Sequence, residues 1–335
     1  QMCIRDSTAT GWMEVQKRIR KSNNWERMIK ILSYAAAVLV PVFFVGISLK
    51  YTTHDYFSNK SVLIAQPILP GAAKAILTLD NGETINLNKE TADALQTIEG
   101  TNIQIDSTTL NYQLAQSTSV SPKPVYNKVE IPRGGEYALV LSDGTKVHLN
   151  SMSSLRFPVA FTTGKREVEL QGGAYFEVSK TGQPFIVNAN GIQVEVLGTT
   201  FNISAYPDEE YQTTLVNGSV KVSAEKGESL ILKPSQQATI ALGSNSIQVR
   251  TVDTSFYTSW VKGKINFKDQ RLEDIMKTLS RWYDMNVVYE NEKLKNIRFG
   301  CNLNRYEEIT PFVKLLEKTE EVHVKIEGNT ITFHN

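Results

Sequence analysis

The chain has 335 residues, 41% hydrophobic and 21% charged, enough length and apolar content for more than one domain with its own core. A formal net charge of +1 leaves no overall field to draw it toward nucleic acid or acidic partners. Two cysteines, Cys3 and Cys301, stand nearly a chain length apart and exclude a disulfide scaffold.

The first thirty residues carry a basic cluster, Lys17, Arg18, Arg20, Lys21, Arg27 and Lys30, together with Trp12 and Trp25. From Ile31 to Leu49 nineteen residues then pass without a charge. At about 1.5 Å per residue such a helix reaches about 28 Å, close to the hydrocarbon thickness of a bilayer. A soluble core helix would show polar residues at helical spacing, whereas Ser33, Tyr34 and Ser48 lie near the ends of this run. Pro41 is tolerated in a membrane helix. The triplet Gly46-Ile47-Ser48 suits a cleavage site, but the leader before it is longer than signal peptides carry. The pattern predicts a transmembrane helix over 31–49, with 1–30 as a cytoplasmic basic tail. Only Lys50 and Lys60 follow the run closely, so the positive side is the N-terminal one. That orientation leaves the C-terminal body outside, which in a Gram-negative bacterium is the periplasm. Beside a span, the basic cluster has lipid headgroups as its simplest partner.

Residues 50–73 read as a polar, Pro-containing stalk. Alternation begins at "AILTLDNGETINLN", where Asn81-Gly82 marks a tight hairpin. Sixty-two residues later "LVLSDGTKVHLN" repeats it, matching Leu77 to Leu139, Leu79 to Leu141, Gly82 to Gly144 and Leu87 to Leu149. Dense β signals continue, and 74–255 is expected as an all-β domain, sandwich- or solenoid-like. The character changes at Trp260. Residues 259–335 predict the order β-α-β-β-α-β-β, with Leu272, Ile275, Met276, Leu279 and Trp282 at helical spacing, a small α/β domain.

No metalloprotease, nucleophile-elbow, phosphate-loop or C-x-x-C motif occurs. His54, His148, His323 and His334 show no pair at ligand spacing, and no metal or cofactor is expected. Asp143 beside Gly144 reads as a turn residue, and the pairs Gly134-Gly135 and Gly172-Gly173 as bulges or tight crossings. Cys301 reads as a small buried hydrophobe after a strand. The candidate partner-interface residues are Trp282, Tyr283 and Trp12, because aromatics are enriched where proteins meet. Core packing is the alternative for Trp282.

The phrases "LSDGTKVHLNSMSSLRFP" (141–158), "VELQGGAYFEV" (168–178), "PFIVNANGIQVEVLGTTFNISAYPDE" (184–209) and "TTLVNGSVKV" (213–222) resemble the FecR family of transmembrane anti-sigma regulators in its Bacteroidetes form. "SWVKGKINFKDQRLEDIMKTLSRWYDMNVVY" (259–289) is similar to the start of that family's C-terminal domain, which itself resembles the small domain of secretins and TonB-dependent receptors. The resemblance implies an extracytoplasmic-function sigma factor held on the cytoplasmic side. It also implies a periplasmic signal received from the signalling domain of a TonB-dependent outer-membrane receptor. Two departures stand out. Gly173 occupies a position usually acidic in the family, with a local effect expected. The inner tail is shorter than the family's cytoplasmic domain and begins with Gln1, so a truncated anti-sigma domain is expected. The other readings are a single-pass periplasmic binding or assembly module without a sigma partner, and a membrane-anchored β-rich enzyme, which would need two carboxylates facing one cleft.

Overall fold

The computed structural model describes residues 67–87, 95–98, 101–113, 124–162, 164–225 and 227–335. The chain divides into two compact units, Gln1–Ile64 and Ala65–Asn335, and all of these residues lie in the second. The transmembrane helix expected over 31–49, the basic tail and Trp12 lie outside the described residues. Among the described residues no helix is long and apolar enough to cross a membrane.

The body is all-β, built as two sheets that share one strand. The first runs, edge to edge, through Thr84–Leu87, Ala75–Thr78, Tyr126–Ile131, Ser153–Pro158, the start of Arg166–Glu177, Phe185–Ala189, Ile192–Val196, Val220–Ala224 and Ser229–Leu232. The second runs through Leu95–Ile98, Thr101–Ile105, Thr109–Gln113, Gly135–Val140, Lys146–Leu149, the end of Arg166–Glu177, Thr200–Ala205, Tyr211–Asn217, Gln236–Ile240 and Gln248–Thr251. Alternating side chains from both sheets enter one core, as the period of two in each strand requires. Tyr112 of the second sheet meets Phe157 of the first edge-on at 5.1 Å, and Phe176 stacks on Phe201 at 5.0 Å. Each such ring, fully removed from water, contributes about 1.5–3 kcal/mol.

The shared strand changes sheets at Gly172. Up to Gln171 it pairs with Ser154–Arg156, and from Gly172 onward with Thr200–Ala205. Gly172 sits at φ 88°, and a Cβ there would stand 2.5 Å from Ser153 Oγ. Only glycine permits both the turn of the backbone and that approach.

The two copies of the sequence repeat fold alike and lie in opposite sheets. In the first, Leu79 N–H donates to Glu83 O and Gly82 N–H to Leu79 O; in the second, Leu141 N–H donates to Thr145 O and Gly144 N–H to Leu141 O, all at 2.9 Å. These are three-residue loops closed by a left-handed glycine. Asp143 is the turn residue its neighbours suggest, its Oδ1 accepting from Thr145 N–H at 2.9 Å. Its other oxygen makes a buried 2.6 Å ion pair with Arg166, whose guanidinium also donates to Ser179 O and Gln183 O. Such a pair is sustained by the bonds that occupy nearly every polar atom of both partners.

The smaller domain has the order its sequence pattern predicts. Strands Lys264–Arg271 and Arg298–Asn304 form an antiparallel pair; Asn286–Tyr289, Thr330–His334 and His323–Glu327 form a second sheet in that order. Helix α1, Leu272–Tyr283, buries Leu272, Ile275, Met276, Leu279, Trp282 and Tyr283, one face at the period of 3.6. Glu273 and Asp274 suit its positive N-terminal end, and Asp284 ends it in the left-handed region. Helix α2, Thr310–Glu317, starts with Pro311 in its first turn and buries Phe312, Val313 and Leu316. Residues 67–73, the end of the expected stalk, are folded instead. Ala72–Ala73 adds a parallel strand beside Gly135–Glu136, and Ile68 enters the core of the smaller domain. The apolar residues Ile68 and Leu69 stand between prolines without a strand or helix period, so no pattern in the sequence foretells this.

Candidate functional site

The body and the smaller domain meet along a seam, and its centre is one buried cation. Arg305, in the turn after Asn304, is 1% exposed. Its backbone N–H is held by Gly263 O at 2.9 Å, which fixes where the side chain starts. From there the guanidinium crosses to the body. It donates to Trp260 O and to Asn150 Oδ1, each at 3.2 Å, and lies 3.3 Å from Glu136 Oε2. The guanidinium also lies flat over the Trp282 ring at 3.7 Å, a cation–π contact out of water. Burial lowers the Arg305 pKa and Glu136 opposes that shift. An arginine starts so high that it stays charged.

The surrounding contacts repeat the same logic. Tyr306 OH donates to the other Glu136 oxygen at 2.9 Å. Arg133 donates to Asp284 Oδ1 at 2.8 Å and to Ser280 O at 3.1 Å, binding the end of α1 to the body's Pro132–Gly135 turn. In return Gly134 N–H donates to Arg281 O at 2.7 Å. Arg281 pairs with Glu209 and lies 3.8 Å over the Tyr206 ring. Trp260 Nε1–H donates to Asn202 Oδ1 at 3.0 Å. Gly71 passes between the two parts so closely that a Cβ would stand 2.7 Å from Gly134 O and 2.8 Å from Trp282. Beside the latch lies a polar cleft of about 730 Å³, with Glu209, Lys264 and Arg281 among its walls.

Of the residues predicted as a partner interface, Trp282 and Tyr283 are brought to this seam, and both are buried. Trp282 Nε1–H donates to Arg305 O and Tyr283 OH to Glu307 O. Both rings thus pack at the seam within the chain. Arg305, Glu136, Arg133 and Glu209 had no signal in the sequence, because a buried ion pair between distant segments follows no spacing rule. Gly134-Gly135 was a signal for a tight crossing, and it marks the body's side of the seam.

Two further expectations change. Cys301 lies inside strand Arg298–Asn304, half-buried, with burial pushing its thiol up to about 11. Gly173 is not purely local: a Cβ there would stand 2.8 Å from the Tyr206 hydroxyl, beneath the ring that carries Arg281. An acidic side chain at 173 would reach the seam.

Residues 127–221 match the family model described as FecR protein, and residues 264–333 match that of FecR, C-terminal. The chain thus carries a match to a FecR domain followed by one to a FecR C-terminal domain. Two crystal structures of a "putative anti-sigma factor" from Parabacteroides distasonis ATCC 8503 are similar to it at 25% identity and a TM-score of 0.58. The one at 1.65 Å covers 62% of this chain and 98% of its own; the one at 2.50 Å covers 63% and 99%. No curated protein matches the chain. On this structure the phrases that resemble FecR have physical roles. "VELQGGAYFEV" is the strand that changes sheets, and "LSDGTKVHLN" is the second copy of the hairpin. The FecR C-terminal match begins at Lys264, directly after the Gly263 that receives Arg305.

Proposed function

We propose that this chain regulates an extracytoplasmic-function sigma factor across a membrane. The reading is supported by the two FecR matches, by the likeness to the Parabacteroides structures and by the uncharged run at 31–49 with its basic flank. The observation that carries it is the joining of a FecR domain and a FecR C-terminal domain in one compact unit. In this reading the N-terminal segment lies in the cytoplasm and meets the sigma factor. The body lies in the periplasm and receives its signal from a TonB-dependent outer-membrane receptor. An outer event changes sigma binding only by favouring one state of the whole chain over another. The latch between body and C-terminal domain supports this reading on the outer side only, since a displacement of one is a displacement of both.

Two measurements test the proposal. A reporter enzyme fused after residue 60 is expected to be active only outside the cytoplasm, and activity inside the cell would refute the topology. The sigma factor encoded beside the gene is expected to co-purify with the full-length protein from membranes. Membrane association without any sigma factor would favour a binding or assembly module instead.

A further inference from the structure

The four histidines stand at 54, 148, 323 and 334 in the sequence, yet the closing hairpin joins two of them. His323 opens one strand and His334 ends the next, and the antiparallel register sets them directly opposite each other. Residues so placed share a face of the sheet with Cβ atoms about 4.5–5.5 Å apart. Their ring centres are 5.6 Å apart and the planes are tilted by 33°.

That spacing suits a shared ion. An imidazole nitrogen binds zinc at about 2.0–2.1 Å, which places the ring centre about 3 Å from the metal. Two rings on one tetrahedral ion then have centres about 5 Å apart. The observed centre-to-centre distance of 5.6 Å is close to that value. The His323 ring is engaged by no hydrogen bond or ion pair among the described residues. His334 Nδ1 lies 3.3 Å from Asn335 O, which leaves its Nε2 for a ligand. The nearby charges do not repel a cation. Lys325 is paired with Glu327 at 2.8 Å, and Glu290 acts electrostatically on the same lysine.

We propose that His323 and His334 form a two-imidazole clamp for a divalent transition metal of the zinc, nickel or copper kind, with solvent completing the coordination. Paired imidazoles select such ions over calcium and magnesium, which take oxygen ligands. Among the described residues no group of three or more His, Cys, Asp or Glu could enclose a metal, so the site is open rather than a closed structural one. An ion there ties the strand of His334 to its neighbour. The inference does not depend on the sigma-factor reading.

The test is competition for Zn²⁺ between a chromophoric chelator and the full chain, purified without a polyhistidine tag. The double variant His323→Asn/His334→Asn sets the baseline from every other group on the protein. Wild type is expected to bind one equivalent more than that baseline, with affinity at least tenfold weaker in either single variant. Thermal melting without metal is expected to be unchanged in all variants. Equal binding by wild type and the double variant would overturn the clamp, and so would single variants that bind like wild type.

Discussion

At the scale of single residues, the structure rests on two buried arginines that act differently. Arg166 ties two parts of the body, with Asp143 as its paired carboxylate. Removing one member of a buried pair leaves an uncompensated charge, so Asp143→Ala is expected to cost about 3–5 kcal/mol in denaturant unfolding. Replacing both by apolar residues of similar size is expected to cost less. Arg305 ties the body to the smaller domain. Arg305→Met is expected to cost about 2–4 kcal/mol, less than a fully buried pair, because Glu136 is 22% exposed and keeps Tyr306. Tyrosines set a further test. Burial pushes the Tyr137 and Tyr283 hydroxyls up to about 12, so the folded protein holds these protons more tightly than the unfolded chain, near 10. Their contribution is complete below pH 10 and is lost as pH rises through about 12. Stability measured from pH 9 to 12 is expected to fall, and Tyr283→Phe to flatten that fall.

At the scale of elements, the sequence pattern was a good guide wherever one strand or helix carried the whole signal. The period of 3.6 in Leu272–Trp282 and the repeated leucine–glycine phrase each appear as predicted, because burial on one face leaves a regular spacing. What stayed hidden depends on pairing. His323 and His334 are eleven positions apart in sequence and opposite in register, and only the hairpin's register brings them together. The sheet change at Gly172 is another case, since "QGG" gives a glycine but not its φ. Two alanine substitutions separate its roles. At Gly82, with φ 85° and nothing within 4 Å of a Cβ, alanine meets backbone strain alone and is expected to cost about 1 kcal/mol. At Gly172 the same strain is joined by contact with Ser153, and a cost at least twice as large is expected in the same unfolding assay.

At the scale of the whole molecule, the seam gives physical content to the idea of a relay. Arg305, Arg133 and Arg281 each pair with a carboxylate of the other folded part. Composition and motif reading found both parts and their order, but not the latch, because Glu136 and Arg305 are ordinary surface residue types that only the fold brings together. The Arg133–Asp284 pair is exposed, so salt weakens it, while the buried Arg305 contacts are screened far less. The central claim, that body and C-terminal domain behave as one unit through Arg305, is tested most directly by calorimetric unfolding of residues 65–335. One cooperative transition is expected for the native sequence, separating into two in Arg305→Ala. Two independent transitions in the native sequence would contradict the account.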